Sequence, residues 1–125
     1  MIDHVSIAVR DLEAGTRFYE AVLVPLGFSK LVVRAETVGF GKRYSEFWLN
    51  LRPDMAPRNP DDGAHVCLRG ASSAAIDAFH AAALKAGGRS DGEPGLRPHY
   101  TANYYAAFIH DADGNKIEAV TFLTA

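Results

Sequence analysis

The sequence predicts an α+β fold built from two tandem β-α-β-β-β modules, and three observations carry that prediction. Two stretches, D-H-V-S-I-A-V from Asp3 and A-H-V-C-L-R-G from Ala64, each set a histidine ahead of alternating apolar residues. Phe18 follows His4 at the interval at which Phe79 follows His65, and Gly27 and Gly88 match in the same way. After each stretch the apolar period changes from two to that of a helix, and later back to two. Residues 1–125 thus form one domain: module one over 1–52, a linker over 53–63 and module two over 64–125.

The elements follow in order. Ile2 to Val9 alternates and reads as a strand. Asp11 is a natural N-cap for a helix carrying Leu12, Phe18, Tyr19, Val22 and Leu26, which Gly27 stops. Phe28–Val33, Thr37–Phe40 and Ser45–Leu51 read as three strands. The polar, proline-rich run from Arg52 to Gly63 is a linker. The second copy begins with the strand around Val66 and Leu68. Ser72 or Ser73 then caps a helix with Ile76, Phe79 and Ala83, ended at Gly87 and Gly88. The stretch G-E-P-G-L-R-P-H-Y reads as a long loop, N-Y-Y-A-A-F-I-H-D as a strand, D-A-D-G-N as a turn and K-I-E-A-V-T-F as the last strand. Two such units give a curved mixed sheet around a cavity, with the helices on its outer face.

Composition narrows the function classes. The formal charge of −2 and the absence of a basic block speak against nucleic-acid partners. No apolar run is long enough to cross a bilayer, and the N-terminus lacks a charged-then-apolar leader pattern. Cys67 is the single cysteine, so an internal disulfide is excluded and a cytoplasmic location is expected.

The helices must cover the aliphatic strand faces, so Val5, Ile7, Val66 and Leu68 turn towards them. His4 and His65 then face the cavity beside the small residues Ser6, Ala8 and Cys67, which leave room for a ligand. In the last strand Ile117 and Ala119 take the helix side, and Glu118 projects into the cavity with Val120 and Phe122. Two imidazoles and a carboxylate suit a divalent cation such as Fe, Mn, Ni or Zn with open positions for a substrate's adjacent oxygens. A single strand histidine is more often a hydrogen-bonded core residue, and a terminal-strand glutamate more often faces solvent. The equivalent placement of the two histidines in a repeat is what favours ligation; a cavity without metal is the rival reading.

D-H-V-S-I-A-V, R-F-Y-E-A-V-L-V-P-L-G-F, A-H-V-C-L-R-G and D-A-D-G-N-K-I-E-A-V together resemble the vicinal oxygen chelate superfamily: glyoxalase I, extradiol dioxygenases, methylmalonyl-CoA epimerase, and bleomycin- and fosfomycin-resistance proteins. The resemblance implies metal ligands from the first and last strand of each repeat, which here fall on His4, His65 and Glu118. A fourth belongs in S-E-F-W-L-N-L. Aligning Phe47-Trp48-Leu49 with Ile117-Glu118-Ala119 puts Trp48 there, and tryptophan cannot ligate; Glu46, on the same face, substitutes if the register slips by two. Glyoxalase I carries a Glu at this position, whereas extradiol dioxygenases manage with His-His-Glu. The resemblance further implies a homodimer whose site lies within one chain or between two. It implies a divalent-metal enzyme of lyase, isomerase or dioxygenase type, acting on a small oxygenated molecule with Glu118 in the catalytic centre. Its alternative is a metal-free, drug-sequestering protein of the bleomycin-resistance kind, which Trp48 as an aromatic wall would suit.

The segment G-L-R-P-H-Y-T-A-N-Y-Y-A-A-F resembles a glyoxalase-like bacterial subgroup. Arg97 can take a carboxylate or phosphate in bidentate fashion. His99 can act as acid or base, and Tyr100 and Tyr104 can hydrogen-bond substrate. By alternation Tyr104, Ala106 and Phe108 line the cavity. A surface loop pinned by proline and aromatic packing is the plainer reading of any one of these residues. His80 and His110 read as surface residues, Cys67 as a small lining residue rather than a nucleophile, and Asp111, Asp113 and Gly114 as a turn rather than a calcium loop.

Overall fold

The computed structural model describes residues 1–124. The first module runs β1 (Val5–Val9), α1 (Leu12–Leu23), β2 (Ser29–Val33), β3 (Thr37–Gly41) and β4 (Ser45–Leu51); the second runs β5 (Val66–Arg69), α2 (Ser73–Lys85), β6 (Arg89–Leu96), β7 (Tyr104–His110) and β8 (Lys116–Phe122). Both helices start on a side-chain cap. Asp11 accepts from Ala14 N, and Ser72 accepts from Ala75 N, so each satisfies an amide that the first turn leaves free. A single 3-10 turn over Val24–Leu26 follows α1. It closes on Gly27 at φ 86°, a left-handed conformation that glycine adopts without a Cβ penalty.

The predicted fold class is found, with the strands divided between two four-stranded mixed sheets. Their orders are β1-β4-β3-β2 and β5-β8-β7-β6, and neither closes into a barrel. In each, the first strand of the module pairs parallel with the last, because the helix carries the chain back over the sheet before the antiparallel meander begins. This pairing sets the residues that face one another: Ser6 lies beside Trp48, and Cys67 beside Glu118.

The helix-facing sides of both sheets drain into one core. Val9, Phe47 and Leu49 from sheet one, Ile109, Ile117 and Ala119 from sheet two, and Tyr19, Val22, Ile76 and Phe79 from the helices are all fully buried within it. Val5, Ile7, Val66 and Leu68 pack on its margin, as alternation requires. The D-A-D-G-N turn between β7 and β8 ties the modules together. Asp111 accepts from Tyr19 Oη (2.5 Å), from the amides of Asp113 and Asn115, and from Asn115 Nδ2 (each 2.9 Å). Asn115 Nδ2 also reaches Ala8 O in β1, and Arg10 Nε pairs with Asp113 at 2.8 Å. These residues form a buried polar clasp between modules as well as a turn.

Three expectations need correction. The stretch around G-E-P-G-L-R-P-H-Y is not wholly loop: Arg89–Leu96 is an edge strand, with its register to β7 broken twice, at Ser90/Gly92 and Gly92/Gly95. An edge position tolerates Pro94, and the irregular pairing hides the period of two. His80 and His110 are buried, each 7% exposed, rather than on the surface. His80 Nε2 meets Ser90 Oγ at 2.8 Å, and His110 faces Asp91. Finally, β1 and β5 start at Val5 and Val66, three residues after Ile2 and two after Ala64, so each histidine sits just ahead of its strand.

Candidate functional site

On the face of sheet two turned away from the helices, Ala106, Phe108 and Val120 form a small apolar cluster with Tyr104 packed against it. No residue of module one belongs to that cluster. Glu118 rises from its middle with a side chain only 4% exposed. A buried carboxylate needs compensating partners, and both oxygens have one. Oε1 lies 3.0 Å from His65 Nε2, and Oε2 accepts from the Tyr104 hydroxyl. The His65 ring, more open to solvent, lies 6.4 Å from the Phe108 ring.

Cys67 lies across the β5–β8 pairing from Glu118. Burial first, and then the Glu118 charge, push its thiol up to about 12, so it is a protonated lining group rather than a nucleophile. Burial, followed by the bond to Glu118, raises the Tyr104 phenol well above its ordinary value, leaving it a hydrogen-bond donor.

The other residues singled out from the sequence fall into three places. Arg97, His99 and Tyr100 line a cavity of about 190 Å³ with Phe108 and Lys116. Arg97 donates to Gly95 O (2.8 Å) and Glu93 O (2.7 Å), and its guanidinium stands 5.6 Å above Phe108. His99 packs on Tyr100 at 4.3 Å, and Tyr100 meets Tyr104 edge-on at 5.0 Å, which connects this cavity to Glu118. Lys116 Nζ pairs with Asp91 at 2.9 Å, which, by that bond first, holds the Asp91 carboxyl below its usual range.

Trp48 and Glu46 lie in sheet one. Trp48 is half-buried, with Arg34 5.5 Å above its ring and Gly39 beneath it, where an added Cβ would come within 2.9 Å of the indole. Glu46 accepts from Lys42 N at 3.4 Å, inside the β3–β4 turn. His4 is exposed, and its Nδ1 meets Asp3 at 2.7 Å. Of the three residues first read as a ligand set, His65 and Glu118 therefore stand together and His4 stands apart. Among the described residues no three His, Cys, Asp or Glu side chains form a metal-holding group.

The His65–Glu118 pair nonetheless has the chemistry and spacing of two ligands. Neighbouring donors at about 2.1 Å from an octahedral ion are roughly 3.0 Å apart, as for Mg or Mn sites and close to Zn–N lengths. His65 Nε2 and Glu118 Oε1 match that separation. In the metal-free pair a proton on Nε2 occupies the line between them, and a cation would replace it.

Sequence reasoning placed Tyr104 and Glu118 on one face but missed their direct bond, which depends on how far two long side chains lean along neighbouring strands. It also missed the clasp at Asp111. The available signal was Tyr19, an apolar-spaced residue of α1 whose hydroxyl requires a partner once buried.

A duplicated β-α-β-β-β fold with a polar pair sunk in one sheet's open face defines a fold class rather than one activity. The chain belongs to the Glyoxalase/Bleomycin resistance protein/Dioxygenase superfamily, whose family model matches residues 1–119. It is similar to a glyoxalase/bleomycin resistance protein from Albidiferax ferrireducens T118, with 32% identity, TM-score 0.81, and coverage of 94% of this chain and 95% of that one. A glyoxalase/bleomycin resistance protein/dioxygenase family enzyme from Burkholderia phytofirmans PsJN shares the fold at 18% identity (TM-score 0.73, 98% of each chain). So does the fosfomycin resistance protein FosX from Mesorhizobium loti, at 20% identity (TM-score 0.70, 98% of this chain and 92% of that one). No curated protein matches. Among the described residues no helix is long and apolar enough to cross a membrane.

Proposed function

We propose that this chain is a divalent-metal-dependent enzyme of the lyase, isomerase or dioxygenase type, acting on a small oxygenated molecule at the open face of sheet two. The observation that carries the reading is the His65 Nε2–Glu118 Oε1 pair, 3.0 Å apart on a carboxylate buried in an apolar cluster. A Fe, Mn, Ni or Zn ion held by His65 and Glu118 would supply Lewis-acid polarisation of the substrate's oxygens. Its third protein donor is His4 of a second copy in a cytoplasmic homodimer, since His4 lies exposed and away from the pair within the chain. Arg97 and Tyr100 hold the far end of the substrate, and His99, next to them, moves a proton. Phe108 and Val120 exclude water from the reacting end.

The test is metal content. Protein purified without chelators should retain stoichiometric metal, and His65→Ala should lose it. A wild-type protein that retains none and binds none of the four ions on titration overturns the proposal.

One observation favours a second reading, a metal-free binding protein. Trp48 stands at the module-one position matching Glu118, offering an aromatic wall in place of a ligand. That reading expects quenching of Trp48 fluorescence by metal-free bleomycin, with an affinity that a chelator leaves unchanged. An affinity abolished by the chelator rejects it.

A further inference from the structure

We infer that Tyr104 is a positioning residue for Glu118: its hydroxyl clamps Oε2 so that Oε1 alone is presented beside His65 as a monodentate ligand. The inference rests on the metal-site reading above. It adds a residue whose role there is to orient a ligand, whereas the sequence had suggested contact with substrate.

Glu118 has three side-chain torsions and, once buried, few ways to satisfy both oxygens. His65 Nε2 engages Oε1 and the Tyr104 hydroxyl engages Oε2, so the carboxylate plane is set from both ends. Tyr104 can do this because its ring is itself held. Phe122, its partner across the β7–β8 ladder, packs edge-on at 5.4 Å, and Tyr100 packs edge-on from the other side at 5.0 Å.

The register explains why a tyrosine is needed. Glu118 pairs with Phe108, and Tyr104 pairs with Phe122 four residues further along β8, about 13 Å of strand away. Only a long side chain ending in a donor spans that interval to meet the leaning glutamate. A ligating carboxylate whose second oxygen is tied in this way is pre-oriented, and losing such an outer partner weakens metal binding roughly 10–100-fold.

The experiment titrates Co(II) into chelator-treated full-length protein and follows visible absorption, which reports coordination geometry. Wild type, Tyr104→Phe, Tyr100→Leu and His65→Ala are compared, with urea unfolding of each metal-free protein as a folding control. The expected result is saturable binding by wild type and none by His65→Ala. Tyr104→Phe should bind about 10–100-fold more weakly with displaced absorption bands, from a monodentate to a more bidentate carboxylate. Tyr100→Leu, which loosens the ring without removing the hydroxyl, should lose less.

Unchanged affinity and bands in Tyr104→Phe would overturn the positioning role while leaving the metal site standing. A loss in Tyr100→Leu without one in Tyr104→Phe would overturn it as well. Failure of wild type to bind Co(II) would instead remove the metal-site reading, and the inference with it.

Discussion

Removing one oxygen from Tyr19 should cost this protein a measurable part of its stability, because that oxygen joins the two modules. The Tyr19 hydroxyl lies 2.5 Å from Asp111 Oδ2 in a fully buried setting, its ring packed between Phe18 (5.0 Å) and Phe47 (5.2 Å). Tyr19→Phe keeps the packing and deletes the donor. A hydrogen bond to a charged acceptor contributes about 1.5–3 kcal/mol, and Asn115 Nδ2 still serves Oδ2, so the cost belongs within that interval. For a domain of this size that is a Tm fall of roughly 6–12 °C.

Trp48, the single tryptophan, makes urea unfolding readable by fluorescence. Asp111→Ala should cost at least about 3 kcal/mol, since it leaves the Tyr19 hydroxyl, two amides and the Asn115 side chain without their acceptor. The double variant should then show coupling of about 1–2 kcal/mol. Burial, and next the Asp111 charge, raise the Tyr19 phenol well above its ordinary value of 10.0. The unfolded chain therefore releases this proton first as pH rises. The stability that Tyr19 contributes is complete below pH 10 and declines above it, a loss that Tyr19→Phe should not share. A Tyr19→Phe cost below about 0.5 kcal/mol with no coupling to Asp111 would refute the clasp.

Other outcomes follow from individual contacts. Gly39→Ala should destabilise by about 1–3 kcal/mol and shift Trp48 emission, because the new Cβ would crowd the indole at 2.9 Å and Ser45 Cβ at 2.7 Å; urea unfolding and the emission maximum report both. Phe79→Ala, on α2 and fully buried in the core, should cost about 3–5 kcal/mol by calorimetry or urea. Lys116→Met should return the Asp91 carboxyl towards its ordinary value, seen by NMR titration. Since Lys116 lowers that pKa, the small stabilisation is present above 3.8 and is lost as pH falls through the depressed native value.

Much of the architecture was legible because local patterns and tertiary packing agree. Alternation in V-S-I-A-V and V-C-L-R assigned the helix-facing residues, and Asp11 and Ser72 cap helices where short polar side chains preceded apolar ones. The last strand, Lys116–Phe122, has the bounds its alternation indicated. The edge strand β6 was not legible. Its glycines and Pro94 are loop signals, and only pairing with β7 makes Arg89–Leu96 a strand. Nor could polarity reveal that His80 and His110 are buried, since burial depends on Ser90 and Asp91 arriving from that same irregular strand.

By itself the sequence determined the repeat, the modules and the side of each strand that its helix must cover, because those follow from short-range periodicity and from burying apolar faces. The tertiary structure alone decided which polar side chains meet. His65, Glu118 and Tyr104 come together through the β5–β8–β7 register, Tyr19 and Asp111 through the docking of one module on the other, and His4 is left outside with Asp3. Such contacts join residues distant in the chain. Their distances are set by strand register and module packing, which no local pattern encodes.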